Sequence, residues 1–146
     1  MKKIIPISII ILAAVYFGLY QNNSISLQNH TVTSHNRESS IANAFNNRSN
    51  NLQVEGEGTV IKILPDDLVS SRHQRFIVRL DSGQTLMIAH NIDLAPRIDS
   101  LRRGDKVFFH GQYEWNPKGG TIHWTHHDPS GHHIPGWIKH NGIKYQ

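Results

Sequence analysis

From residue 52 onward, apolar side chains fall at alternate positions in short runs. "QVEGEGTVIKIL" places Val54, Val60, Ile61 and Ile63 along a run loosened by Gly56 and Gly58, the pattern of a long strand bent by a glycine or a bulge. "RHQRFIVRL" puts Phe76, Val78 and Leu80 on one face and Arg75, Ile77 and Arg79 on the other. Asp81-Ser82-Gly83 supplies a turn, and "QTLMIAH" returns as the third strand of a hairpin. Leu94, Ile98 and Leu101 recur at helical spacing and Gly104 closes the segment, which predicts a short helix. "KVFFHGQYEW" and "GTIHWTHH" predict strands four and five, joined through Asn116-Pro117-Lys118-Gly119-Gly120. Three strands, a helical connection and two more strands give an all-β chain with one short helix, arranged as an OB-like five-stranded barrel whose closure protects its strand edges.

The N-terminal part follows other rules. Lys2 and Lys3 precede an uncharged apolar run from Ile4 to Tyr20, the layout of a signal peptide or membrane anchor in residues 1–20. Cleaved or not, it places the remainder outside the cytoplasm: periplasmic, secreted, or held at the inner membrane by the uncleaved segment. Residues 21–51 turn to Asn, Ser, Gln and Thr without sustained period and read as a flexible linker, with a short helix around 41–45 as its one candidate element. Residues 52–146 then form a monomeric OB-like domain with a His-rich C-terminal segment. The chain has no cysteine, which removes disulfides and thiol catalysis alike.

Charge narrows the partners. The net charge is +4, yet residues 52–146 hold eleven basic and ten acidic side chains, so the domain lacks a broad positive field. Local constellations remain. His73, Arg75 and Arg79 on the second strand, with His90 at the end of the third, suit a phosphate or carboxylate, and Trp115 and Trp124 offer stacking surfaces. These point to binding of an anionic or polar ligand: an oligonucleotide, a glycan or a phosphate-bearing molecule.

Six of the eleven histidines lie between His123 and His140. In an extended strand His123 and His127 stand about 13 Å apart, too far to share one ion, so a metal site requires the chain to turn near His126. Asp128-Pro129-Ser130-Gly131 is such a turn, and it brings His132 or His133 towards His126 or His127. Zinc or another divalent metal held by His123, His126, His127, His132 and His133, with Glu114 or Asp128 as base, makes a metal-dependent hydrolase the alternative function. The same imidazoles also suit a hydrogen-bonded tail over the barrel mouth, or anion and proton binding.

"RHQRFIVRL", "AHNIDLAPRI", "YEWNPKGGTIHWTHHDP" and "GWIKHNGIKYQ" resemble an uncharacterised bacterial family of small exported proteins, a domain of unknown function, over nearly all of residues 52–146. The resemblance implies no activity. "GEGTVIKILPDD", "RFIVRL" and "HNIDLAP" are also similar in order to staphylococcal-nuclease-like OB domains. That likeness puts Asp66, Asp67, Arg79 and Asp93 at the positions of calcium ligands and an arginine clamp, but Arg97 stands where the glutamate of such enzymes is expected.

Overall fold

Seven strands form one sheet: β1 (Leu52–Ile63), β2 (His73–Arg79), β3 (Thr85–Asn91), β4 (Lys106–Glu114), β5 (Thr121–His123), β6 (Trp137–His140) and β7 (Ile143–Tyr145). They are seen in a computed structural model that describes Thr33 and residues 36–146. The leader expected in residues 1–20, and most of the linker expectation, lie outside the described residues. Among the described residues no helix is long and apolar enough to cross a membrane.

The first five strands close into a barrel in the order β1-β2-β3-β5-β4, with β1 pairing β4 to complete the ring. All contacts are antiparallel except β3 with β5, where Met87 faces Thr121 and Ile88 faces Ile122. This is the OB-like barrel that the strand order predicts. β1 serves two partners because it is long: Leu52–Thr59 pair with β4 and Thr59–Ile63 with β2, the latter ladder carrying a bulge between Val60 and Lys62. The alternation predicted for β2 holds, with Phe76 and Val78 buried inside beside Leu86, Ile88, Val107, Phe109, Tyr113 and Ile122.

Among the described residues the one helix lies not between β3 and β4 but over the other stretch the sequence offers for a helix, around 41–45. Between β3 and β4 the chain runs through turns; Ile98 and Leu101 still reach the core, but Leu94 is exposed. Gln74 holds this connection instead of a helix ladder, donating to the Ile98 carbonyl (3.0 Å) and accepting from the Ile98 N–H (2.9 Å). The helix is α1, residues 36–46, at the end of the stretch read as linker. It buries Ile41 and Ala44 in the barrel core. Its C-terminus is a Schellman cap: Arg48 takes φ 51°, Ser49 donates to the Ala44 carbonyl and Arg48 to that of Phe45. Glu38 accepts the N–H groups of Asp81 and Ser82 at 2.9 Å each, which ties α1 to the β2–β3 turn.

The C-terminal segment folds back, as expected, but as structure of its own. The fifth strand ends at His123, because Trp124 adopts φ 53° and redirects the chain. After the β5–β6 loop, β6 pairs with the first half of β4, on the edge whose second half pairs with β5. Asn141 and Gly142, with φ 49° and 79°, make the two-residue turn to β7.

Candidate ligand groove on the barrel

The outward face of β2, β3 and β5 is built from alternate residues: His73, Arg75 and Ile77; Thr85, Met87, Ala89 and Asn91; Thr121 and His123. Register sets Arg75 against Ala89 and Ile77 against Met87. On an outward face, two apolar residues opposite each other need cover. The β1–β2 loop and the β4–β5 loop give only partial cover, leaving three adjoining clefts along the face.

The largest, about 520 Å³, lies between Lys62, Leu64, Ile77 and Met87 on one side and Asn116, Pro117 and Lys118 of the β4–β5 loop on the other. A middle cleft of about 360 Å³ is lined by Asp67, His73, Arg75, Met87, Ala89, Glu114, Thr121 and His123. A third, about 350 Å³, contains His73, Asn91, His123, Trp124 and His126. Met87 is shared by the first two, and His73 and His123 by the last two, so the clefts form one groove. Running from Thr85 to Asn91 along β3, it is about 20 Å long at ~3.3 Å per residue.

Charge along the groove is uneven. Arg75 is held by the β1–β2 loop: its Nε and Nη2 donate to the Pro65 carbonyl (3.2 and 3.1 Å) and Nη1 lies 3.8 Å from Asp67. Lys62 and Lys118, by contrast, have no carboxylate partner among the described residues. Arg79 is exposed and likewise unpaired, two residues beyond Ile77 on the same face and opposite Thr85. Two uncompensated cations, Lys62 and Lys118, therefore line the apolar end of the groove, and a third, Arg79, stands beside it opposite Thr85.

At the centre, His123 is half-buried, with its Nε2 shielded and without a hydrogen-bond partner. Glu114 Oε1 lies 3.7 Å from that nitrogen. Desolvation lowers the His123 pKa, and the Glu114 carboxylate opposes the shift. Glu114 is itself anchored, accepting from the Asn51 N–H (3.1 Å) and the Gln112 amide (2.9 Å). His73 donates from Nδ1 to the Ser71 carbonyl at 2.8 Å, so its Nε2 is the nitrogen left for other partners.

Several residues expected in a site lie elsewhere. His90 faces the interior, paired with Gln74, not the groove. Its Nε2–H donates to the Pro96 carbonyl (3.2 Å), and Nδ1 accepts from the Thr125 hydroxyl (2.8 Å). Burial lowers its pKa from 6.5 to about 4, and a neutral imidazole with both nitrogens occupied cannot engage an anion. Trp115 is away from the groove, stacked on Phe45 of α1 with the Arg48 guanidinium 5.2 Å from its ring. Trp124 does line the groove's far end, with one face stacked on His133 at 3.6 Å.

The imidazoles of the β5–β6 loop do not converge. Among the described residues no three of His, Asp and Glu are grouped to hold a metal. His126 is buried and donates from Nδ1 to the His127 carbonyl (2.7 Å), while its own carbonyl accepts the Gly136 N–H. His127 and His132 are exposed, and His133 is spent on Trp124. Asp128 organises the turn, accepting N–H groups from Ser130, His132 and His133 at 2.9, 2.6 and 2.9 Å. The Ser130 bond above all holds its carboxyl below the usual range. The acids matched to calcium ligands are likewise separate: Asp66 pairs with Arg97, Asp67 lies beside Arg75, and Asp93 pairs with Arg72.

Lys62, Ile77, Met87 and Lys118 are groove residues that sequence reasoning missed. The signal was there for two of them: Ile77 sits between Arg75 and Arg79, and Met87 between Thr85 and Ala89, each an apolar residue on a nominally polar face.

The model of a family described as a protein of unknown function (DUF3465) matches residues 24–146. No curated protein matches the chain.

Proposed function

Taking as premise that the chain belongs to the DUF3465 family of proteins of unknown function, we propose that it is an exported binding module for an extended anionic ligand. The β2–β3–β5 groove is the binding surface in this reading. The observation that carries it is the pairing of an open, apolar-floored groove of about 20 Å with three cations, Lys62, Arg79 and Lys118, that nothing among the described residues neutralises. A barrel that uses its strand 2–3 face and the flanking loops for oligomeric ligands fits this geometry. Of the ligand classes open from sequence, an oligonucleotide matches best. A neutral glycan leaves the three cations unused, and a lone phosphate leaves the Ile77/Met87 floor unused.

Arg79, Lys62 and Lys118 contact phosphates in this account, Ile77 and Met87 carry sugar or base, and Trp124 stacks at the far end. Export through the N-terminal segment, with the domain released or tethered at the outer side of the inner membrane, belongs to the same proposal. The test is fluorescence anisotropy of a labelled single-stranded octanucleotide across a salt series. Three phosphate contacts predict a log–log slope near −2, at about 0.7 per contact for single strands. Lys62→Ala/Arg79→Ala/Lys118→Ala should abolish most of that slope; salt-independent binding, or binding that the triple variant leaves unchanged, removes this reading.

A further inference from the structure

The centre of the groove holds more chemistry than binding requires. Across three strands, Arg75 on β2 is opposite Ala89 on β3, and His123 on β5 follows directly after the Ile88–Ile122 pair. Two strand spacings, about 10 Å, separate the backbones that carry Arg75 and His123. The small Ala89 side chain between them leaves open space, which is the middle cleft. His73 and His123 both line that cleft and the next. One imidazole is backed by a carboxylate at 3.7 Å with its shielded Nε2 unpartnered; the other is pinned through Nδ1 with its Nε2 left over.

We propose that this constellation cleaves RNA by internal transesterification, with His123 as general base, Glu114 as its positioning carboxylate, His73 as general acid and Arg75 as phosphate-facing charge. The inference rests on the oligonucleotide reading of the groove. The step is self-contained. With Glu114 facing Nε2, His123 takes the proton of a ribose 2′-hydroxyl through its other ring nitrogen, Nδ1, and the 2′-oxygen attacks the adjacent phosphorus. The bond from phosphorus to the 5′-oxygen breaks, and that oxygen receives the proton from His73. The products are a 2′,3′-cyclic phosphate and a 5′-hydroxyl end. The nucleophile comes from the substrate, so no protein nucleophile is needed; two imidazoles and a cation are what the reaction asks of the protein.

Local charges fit these roles. His123 is faced by Glu114 from β4, by His73 and Arg75 from β2, by Asp67 from the β1–β2 loop, and by His126 and His133 from the β5–β6 loop. Desolvation favours its neutral, proton-accepting form, and Glu114 stabilises the imidazolium that forms.

The test incubates the full chain with a labelled RNA octanucleotide and with the DNA of the same sequence. RNA ending in 2′,3′-cyclic phosphate, with DNA bound but intact, is the expected result. His123→Ala and the polar His123→Asn, as well as His73→Ala, should each lower the cleavage rate by about 100-fold or more while RNA affinity changes little. RNA bound but not cleaved, or cleaved by both His123 variants as fast as by the wild type, overturns this inference and leaves the binding reading standing. Failure to bind either strand overturns both.

Discussion

His90 makes the pH dependence of folding a sharp test of the interior. The side chain is fully buried, and its pKa falls from 6.5 to about 4. Above the unfolded value both states are neutral and His90 contributes no slope. As pH falls below it, the unfolded chain takes up a proton that the native state refuses, so stability is lost progressively until the folded pKa is reached. A shift of that size corresponds to about 3 kcal/mol by the acid end, of which about 2 kcal/mol is gone near pH 5. The carboxyls of Asp93, Asp105 and Asp128, held low by hydrogen bonds, lose their contribution only below their ordinary 3.8, so the two windows are separable. The assay is urea unfolding of the wild type and His90→Gln at pH values between about 8 and 4.5. His90→Gln should be less stable at neutral pH, by about 1–3 kcal/mol for the disturbed Pro96 and Thr125 bonds. It should also slope less steeply than the wild type in that window, keeping only what other groups contribute, such as His123, whose pKa is likewise lowered. Parallel curves for the two proteins would refute the assignment of His90 as a neutral interior hydrogen-bonding group.

The other predictions concern packing and surface charge. Ile41→Ala should cost about 2–5 kcal/mol in urea unfolding, because the side chain plugs the barrel core from α1; a cost under about 0.5 kcal/mol would show that α1 is not part of the folded unit. Gly120→Ala should destabilise by more than an ordinary surface change, about 2 kcal/mol or more, since a Cβ there runs into the Tyr113 ring and the backbone sits at φ 111°; thermal melts check it. Arg97→Ala, by contrast, removes exposed ion pairs to Asp66 and Asp99 and should change stability by less than about 1 kcal/mol.

Much of the barrel was legible because strands of an OB-like barrel bury one face and expose the other. Phe76 and Val78, against Arg75 and Arg79, announce which side is which. One element misled, and another, α1, was legible only as a short candidate around 41–45. Leu94, Ile98 and Leu101 have helical spacing, yet two of them reach the core from a turn-rich connection pinned by Gln74, a tertiary bond that no local pattern encodes. α1 sits in polar sequence and is held by Ile41, Ala44 and Glu38, whose partners lie more than a strand away in the chain. The β6–β7 hairpin carries a local signal in Asn141-Gly142, a two-residue turn between short alternating runs.

In the candidate site, parity decided the outcome. His73, Arg75 and Arg79 have odd numbers in β2 and point outward as expected, whereas His90 is one residue out of phase with the outward Ala89 and Asn91 of β3. Trp124 ends strand five through its own positive φ, so the face shared by His123 and His127 never forms. Grouping by composition could not see that turn. Lys62 and Lys118 come from different loops and strands, and only the closed barrel brings them to one cleft.

The central claim is that the β2–β3–β5 face takes an anionic chain. Amide NMR of the labelled domain, titrated with single-stranded octanucleotide at low salt, tests it directly. Saturable shifts should concentrate at Lys62, residues 73–79, 85–91, 116–123 and Trp124, and should weaken with added salt. Shifts confined to the β6–β7 hairpin and the outer face of β4, or no saturable shifts at all, would contradict the account.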